Sequence, residues 1–321
     1  MPLPVTRLCV LLLALCASVP SVRAVDEPAP PPRAEVESGA GEDNERLREK
    51  LLEQVLKMRE FFDTILPGTL GERNLALKFS PRFGDLRHRE FIRYRFELRY
   101  GATEHLELMA GMTPFTPNPI NSGRDHRWGP GEARLGARYD LQRPVPFFDK
   151  ATIGIENRIP LGKPPVDLND HYTHVRPWIA LSRTLRGFPD TTFYTNLSYD
   201  RSVKLTPREP PPPQVIRRHI AEVAPGVLYK PSELGYLFEY RFRHFDEVNN
   251  PHLGHEFLVG TIWDVPLYRS HKWKLPGKWQ LELGYRVTFE EGYDTDHGIS
   301  ARVNWRTSLR EVLNHFDRSK K

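Results

Sequence analysis

Phe91-Ile92-Arg93-Tyr94-Arg95-Phe96-Glu97-Leu98-Arg99-Tyr100 alternates without a break: Ile92, Tyr94, Phe96, Leu98 and Tyr100 fall on one side, Arg93, Arg95, Glu97 and Arg99 on the other. Successive side chains of a β-strand point to opposite faces, so this stretch reads as a strand with one aromatic, apolar face and one charged face. Two similar strands follow. Leu106, Leu108, Ala110 and Met112 oppose His105, Glu107 and Gly111, and then Ala133, Leu135, Ala137, Tyr139 and Leu141 oppose Glu132, Arg134, Gly136, Arg138 and Asp140. The pattern recurs near 74–80, 151–159, 174–184, 191–200, 218–229, 234–244, 255–264, 278–289 and 297–306, which brings the expected total to twelve strands. The first strand and the one containing Pro177 carry the weakest signal, since proline cannot donate to a ladder.

A soluble sandwich would also alternate, so the composition of each face decides between the two. Tyr94, Tyr100, Tyr139, Tyr199, Tyr229, Tyr236, Trp263, Trp279, Tyr285, Phe289 and Trp305 lie on the apolar faces, many near strand ends where a membrane-interface girdle sits. The other faces carry Arg and Glu, with Arg well ahead of Lys, which suits charges paired across a narrow enclosed space. The expected fold class is all-β: a closed antiparallel transmembrane β-barrel of about 12 strands over residues 71–306, an even number that returns both barrel ends to one side. Loop lengths agree for most of the chain. The connections 101–104 and 230–233 are short and 113–131, 160–173 and 201–217 are long, while 265–277 and 290–296 reverse the order.

The flanks read differently. Arg7, the apolar run Leu8 to Val19 and Val22-Arg23-Ala24 suggest a signal peptide, residues 1–24, cleaved after Ala24. The run is too short to span a bilayer as a helix, which takes about 20 residues. Cys9 and Cys16 both lie in it, so the exported chain is expected to lack thiol chemistry, and Leu15 is too large for a lipidation site at Cys16. Residues 25–43, with Pro28, Pro30, Pro31 and Pro32, read as a disordered linker. Leu47, Leu51, Val55, Met58, Phe62 and Ile65 recur at spacings of three and four, which predicts an amphipathic helix over 44–66, capped by Asn44 and stopped by Pro67-Gly68. Such a helix could pack on the rim, plug the lumen or pair with neighbouring copies. Residues 307–321 form a tail, with a short amphipathic helix from Ser308 to Phe316.

A charged fraction of 27% and a mean hydropathy of -0.53 argue against a helical membrane protein but suit a barrel, which needs apolar residues only at alternate positions. The net charge of +5 comes without a Lys/Arg stripe on a predicted helix, so nucleic-acid binding is not expected.

Glu97-Leu98-Arg99-Tyr100-Gly101-Ala102-Thr103-Glu104-His105-Leu106-Glu107-Leu108 is a hairpin with a glycine turn; Gly131 to Tyr139 forms a further strand, and Ile159-Pro160-Leu161-Gly162 ends another. Over about residues 90–305 this pattern resembles the outer-membrane channel family named for phenol-degradation pathways, with its transporter-like relatives. The resemblance implies a barrel in the bacterial outer membrane and a transport role, and it supports the fold far better than any substrate. One departure is the C-terminus. Asp296 to Val303, with Trp305, fits the terminal strand read by the insertion machinery only loosely; Glu282 to Phe289 fits better, and the chain continues to Lys321.

The candidate pore-lining residues are the inward charges: Arg93, Arg95, Glu97, Arg99 and Glu107; Glu132, Arg134, Arg138, Glu156 and Arg158; then Glu222, Glu239, Arg241, Arg243, Glu282, Arg286 and Arg302. They admit two compatible readings, a pairing network that neutralises buried charge and a lining that selects permeants, with Arg241, Arg243, Arg286, Arg302 and Arg306 giving a slight anionic preference. His171/His174 and His252/His255 have metal-compatible spacing but no third ligand, and read as surface histidines. Gly-x-Ser-x-Gly and phosphate loops are absent, and Ser198, Ser202, Asp200 and His219 are too scattered for a triad, so neither catalysis nor a cofactor is expected. The expected function is an outer-membrane channel or transporter-like barrel for small solutes, or alternatively a non-conducting structural or loop-displaying barrel. Its expected partners are outer-membrane lipid and lipopolysaccharide, the barrel-insertion machinery, an unidentified small solute and, for the helix, further copies of the chain.

Overall fold

The computed structural model describes residues 60–61, 64–81, 91–119, 128–142, 145–161, 172–205, 218–247, 251–266, 277–291 and 295–309, all within one compact unit, Glu49–Lys321. The expected signal peptide, linker and most of the predicted helix and tail lie outside the described residues.

Two short strands come first, β1 (Glu60–Phe61) and β2 (Thr64–Ile65), paired antiparallel. This differs from the helix expected up to residue 66. Pro67 is one physical reason: the residue before a proline is pushed out of the helical region, and Leu66 is that residue. The barrel strands are β3 (Asn74–Pro81), β4 (Phe91–Gly101), β5 (Leu106–Met112), β7 (Glu132–Asp140), β8 (Lys150–Pro160), β9 (Tyr172–Leu185), β10 (Phe188–Leu205), β11 (Arg218–Tyr229), β12 (Leu234–Glu247), β13 (His252–Asp264), β14 (Lys278–Glu290) and β15 (Asp296–Ser308). Each pairs antiparallel with its sequence neighbour, and β3 pairs with both β4 and β15, from Leu75↔Tyr100 on one side to Ser308↔Asn74 on the other. That closes a 12-stranded barrel in which each of the twelve strands has a partner on both sides.

All twelve expected strands are present, including the two with the weakest signal. Pro177 is accommodated because the β9–β10 ladder has no pair between Ser198↔Trp178 and Arg201↔Val175, while its other side stays paired, Ile155↔Pro177. The remaining strand, β6 (Phe115–Pro117), was not expected. It continues the pairing of β5 along β4 after an interruption at Thr113-Pro114. There Phe91, on the face of Arg93 and Arg95, packs edge-on against Phe115, and Ile92, on the opposite face, is buried as well.

The barrel has a turn end, with the connections 102–105, 141–149, 186–187, 230–233 and 265–277, and a loop end. Gly101 shows how tightly the turn end is built, since a Cβ there would sit 1.7 Å from the Gly71 carbonyl oxygen. Outward positions are apolar and exposed along successive strands, among them Phe96, Leu98, Leu135, Ile153, Phe238, Val259 and Leu283. A continuous apolar band of this kind is a lipid-facing surface. Aromatic pairs bracket it. Tyr229–Tyr236 and Trp279–Trp305 stand toward the turn end, and Tyr199–His219, Tyr240–His255 and Tyr285–His297 toward the loop end. Along β14, Trp279 and Phe289 are ten residues apart, about 33 Å of strand, which on a tilted strand matches an apolar band about 25 Å tall.

Candidate functional site: the charged lumen

On β9 to β13 several inward side chains toward the turn end are apolar, and the segment before β3 packs on them. Leu66 is 1% exposed and clusters with Tyr194, Leu228, Leu237, Leu258 and Ile262; Ile65 clusters with Trp178 and Ala180. Burying each of these two side chains contributes on the order of 1.5–3 kcal/mol. The rings find room because the neighbouring strands carry glycine. A Cβ on Gly154 would lie 2.2 Å from Trp178, and one on Gly226 would lie 2.3 Å from Tyr194. Polar contacts hold the rest of the segment: the Gly68 amide donates to Thr152 Oγ1 (2.6 Å), Thr69 Oγ1 to the Glu104 carbonyl (2.5 Å) and the Leu70 amide to Glu107 Oε2 (2.8 Å).

Most other inward residues are charged, and their partners lie two residues along the same strand or on a nearby strand. Glu97 takes Arg95 Nη2 at 2.7 Å and Arg99 Nε at 2.5 Å, with Lys78 Nζ at 4.0 Å. Glu107 holds Arg138 at 3.0 Å, and Arg134 bridges Glu132 (2.7 Å) and Glu156 (3.0 Å). Asp200 engages Arg158 and, at 2.8 Å, His174 Nδ1. Glu222 accepts from Arg176 and Arg243, both at 2.8 Å. Arg241 spans Glu239 (2.7 Å) and Glu256 (3.1 Å), and Tyr194 donates its hydroxyl to the other oxygen of Glu239 (3.1 Å). Glu282 accepts from Arg302 (3.3 Å) and Asn304 (2.5 Å). In a low-dielectric interior an unpaired ion is costly, and this pairing holds a dense set of charges inside a closed sheet.

Among these charges lies a cavity of about 170 Å³, lined by Ile65, Ile220, Ser198, Arg95, Arg134, Arg158, Arg176, Arg241 and Arg243, with Glu156, Asp200 and Glu222.

Of the residues expected to line a pore, Arg95, Glu97, Arg99, Glu107, Arg134, Arg138, Glu156, Glu239, Arg241, Glu282 and Arg302 are buried in the barrel interior. Glu132, Arg158, Glu222 and Arg243 are half-buried beside them. Arg93 is half-buried on β4 opposite Phe115, and Arg286 lies against Gly298. Sequence reasoning missed Lys78, His174, Arg176, Asp200 and Glu256, which share the inward parity of their strands and were legible by that signal. It also missed the inward rings of Trp178 and Tyr194, since aromatics were assigned to the outside. The histidine reading is corrected: His174 and His252 are buried in the barrel, not on the surface. His252 stacks on inward Phe245 while His255 bonds outward Tyr240, because residues three apart on a strand face opposite ways. His171 lies outside the described residues.

No protein-family model and no curated protein matches this chain. Among solved structures it is similar to the COG4313 outer membrane channel from Pseudomonas putida F1, with a TM-score of 0.54 and 11% identity over 75% of this chain and 97% of that one. The NanC porin aligns with a TM-score of 0.40 and 14% identity over 73% of this chain and 98% of that one. The KdgM porin aligns with a TM-score of 0.37 and 9% identity over 74% and 99%. The first likeness is one of fold: this chain has the closed barrel architecture of an outer-membrane channel.

Proposed function

We propose that this protein is an outer-membrane channel for small solutes whose lumen is lined by the Arg and Glu network and narrowed at the turn end by residues 64–70. The observation that carries the reading is the sidedness of the barrel. Lipid-facing positions are apolar on strand after strand, while the enclosed positions hold paired charges around an open cavity. Selection of permeants by charge needs an ionised interior, since fixed charges replace part of a solute's hydration. The inward groups bind and exclude; the reading assigns them no catalytic role.

A second reading, a non-conducting barrel, is favoured by one observation: Ile65 and Leu66 are packed into the apolar layer of the lumen. Planar-bilayer recording on purified, refolded protein separates the two. The channel reading expects small but reproducible conductance steps that grow in Leu66→Asp, where an ionised carboxylate cannot stay in the apolar cluster. A folded wild type and a folded Leu66→Asp that are both electrically silent would leave the non-conducting reading.

A further inference from the structure

We propose that the lumenal cavity is a binding subsite for a small organic carboxylate with a short apolar body. The proposal rests on the channel reading only for how the ligand arrives. Six guanidinium groups face the cavity against three carboxylates. Those three are already engaged: Glu156 by Arg134, Asp200 by Arg158, and Glu222 by Arg176 and Arg243. The further counter-charges Glu97, Glu132, Glu239 and Glu256 contact Arg95, Arg134, Arg241 and Arg243 but do not line the cavity. Among the lining side chains guanidinium groups thus outnumber carboxylates two to one, and each guanidinium has five donors and no acceptor. Arg158, one of the six, also carries a buried Nε without a hydrogen-bond partner among the described residues.

The ligand class follows from the same surface. A planar carboxylate matches the fork of a guanidinium and can exchange with the paired side chains, whereas a cation meets donors already turned inward. Ile65 and Ile220 give an apolar body something to lie against. Size sets the upper bound. A cavity of about 150 Å³ holds benzene, so 170 Å³ takes a molecule of that order and not an oligosaccharide.

The test is a ligand-observed saturation-transfer NMR titration of detergent-refolded protein with sodium butyrate, butyramide and butylammonium chloride. Saturable binding of butyrate is expected, at least tenfold tighter than butyramide or butylammonium. It should weaken at least tenfold in Arg176→Gln, the loss expected for a hydrogen bond to a charged group. Arg186→Gln, in the exposed β9–β10 turn, should leave it unchanged. Butyramide binding as well as butyrate, or equal loss in both variants, overturns the proposal. If Arg176→Gln does not fold, the three-ligand comparison on the wild type decides alone. Conductance is read separately: binding without current keeps the subsite and removes the channel, whereas current without saturable butyrate binding removes the subsite alone.

Discussion

Glu97 concentrates the logic of the interior in one side chain: it is 1% exposed and faces Lys78, Arg95 and Arg99. Replacing Glu97 by Gln leaves those cations without their shared counter-ion, and removing one partner of a buried pair costs about 3–5 kcal/mol. The unfolding midpoint in urea, followed in detergent by tryptophan fluorescence, should fall accordingly. Glu72→Gln is the contrast, because its pair with Arg73 is solvent-exposed and contributes about 0–1 kcal/mol. At this scale the inward position of Glu97 was legible from Phe91–Tyr100 alone. Its same-strand partners Arg95 and Arg99 were legible by the same parity, whereas Lys78, across the sheet on β3, was not singled out. Which charges meet across strands depends on register, and alternation does not encode register.

At the scale of elements, the strands and the segment before them behaved differently under sequence reading. Strands keep a period of two because lipid lies on one side and a polar interior on the other. Hence the expected and observed ranges differ by a few residues at most, as for 234–244 against β12 (Leu234–Glu247). Residues 60–70 have no such two-sided environment. Their apolar residues at spacings of three and four read as a helix face, yet Ile65 and Leu66 are buried by tertiary packing in the lumen, next to Pro67, which disfavours helix. Nothing local announces a lumen as the burial site. The element that receives Leu66 depends on Gly226 beneath Tyr194, so Gly226→Val should overpack that layer and cost about 1–3 kcal/mol. Limited proteolysis should then cut within residues 60–70 faster than in the wild type. Gly187→Ala meets no atom within 4 Å and tests only the strain of its φ of 86°, so it should leave proteolysis there unchanged.

For the whole molecule, closure and sidedness carry the account. Leu283 is 58% exposed, midway along β14 between Trp279 and Phe289, so Leu283→Arg should cost about 2–4 kcal/mol of folding free energy in vesicles. Equilibrium unfolding from lipid vesicles checks this. The barrel as a whole was legible because every strand repeats the same division, while the fill of its interior was not, since inward aromatics and outward aromatics look alike in one dimension. The central claim, that the space inside the sheet is the path for solutes, turns on two adjacent residues: Ser198, which lines the cavity, and Leu197, which is exposed on the outer face. The sequence has two cysteines, Cys9 and Cys16, both well before Asn74 where the barrel strands begin, so a single thiol can be placed anywhere in the barrel. The measurement is single-channel current in Ser198→Cys and Leu197→Cys before and after a charged, water-soluble methanethiosulfonate reagent. The current should drop in Ser198→Cys and stay unchanged in Leu197→Cys; an unchanged current in a labelled Ser198→Cys, or an equal drop in both, would contradict the account.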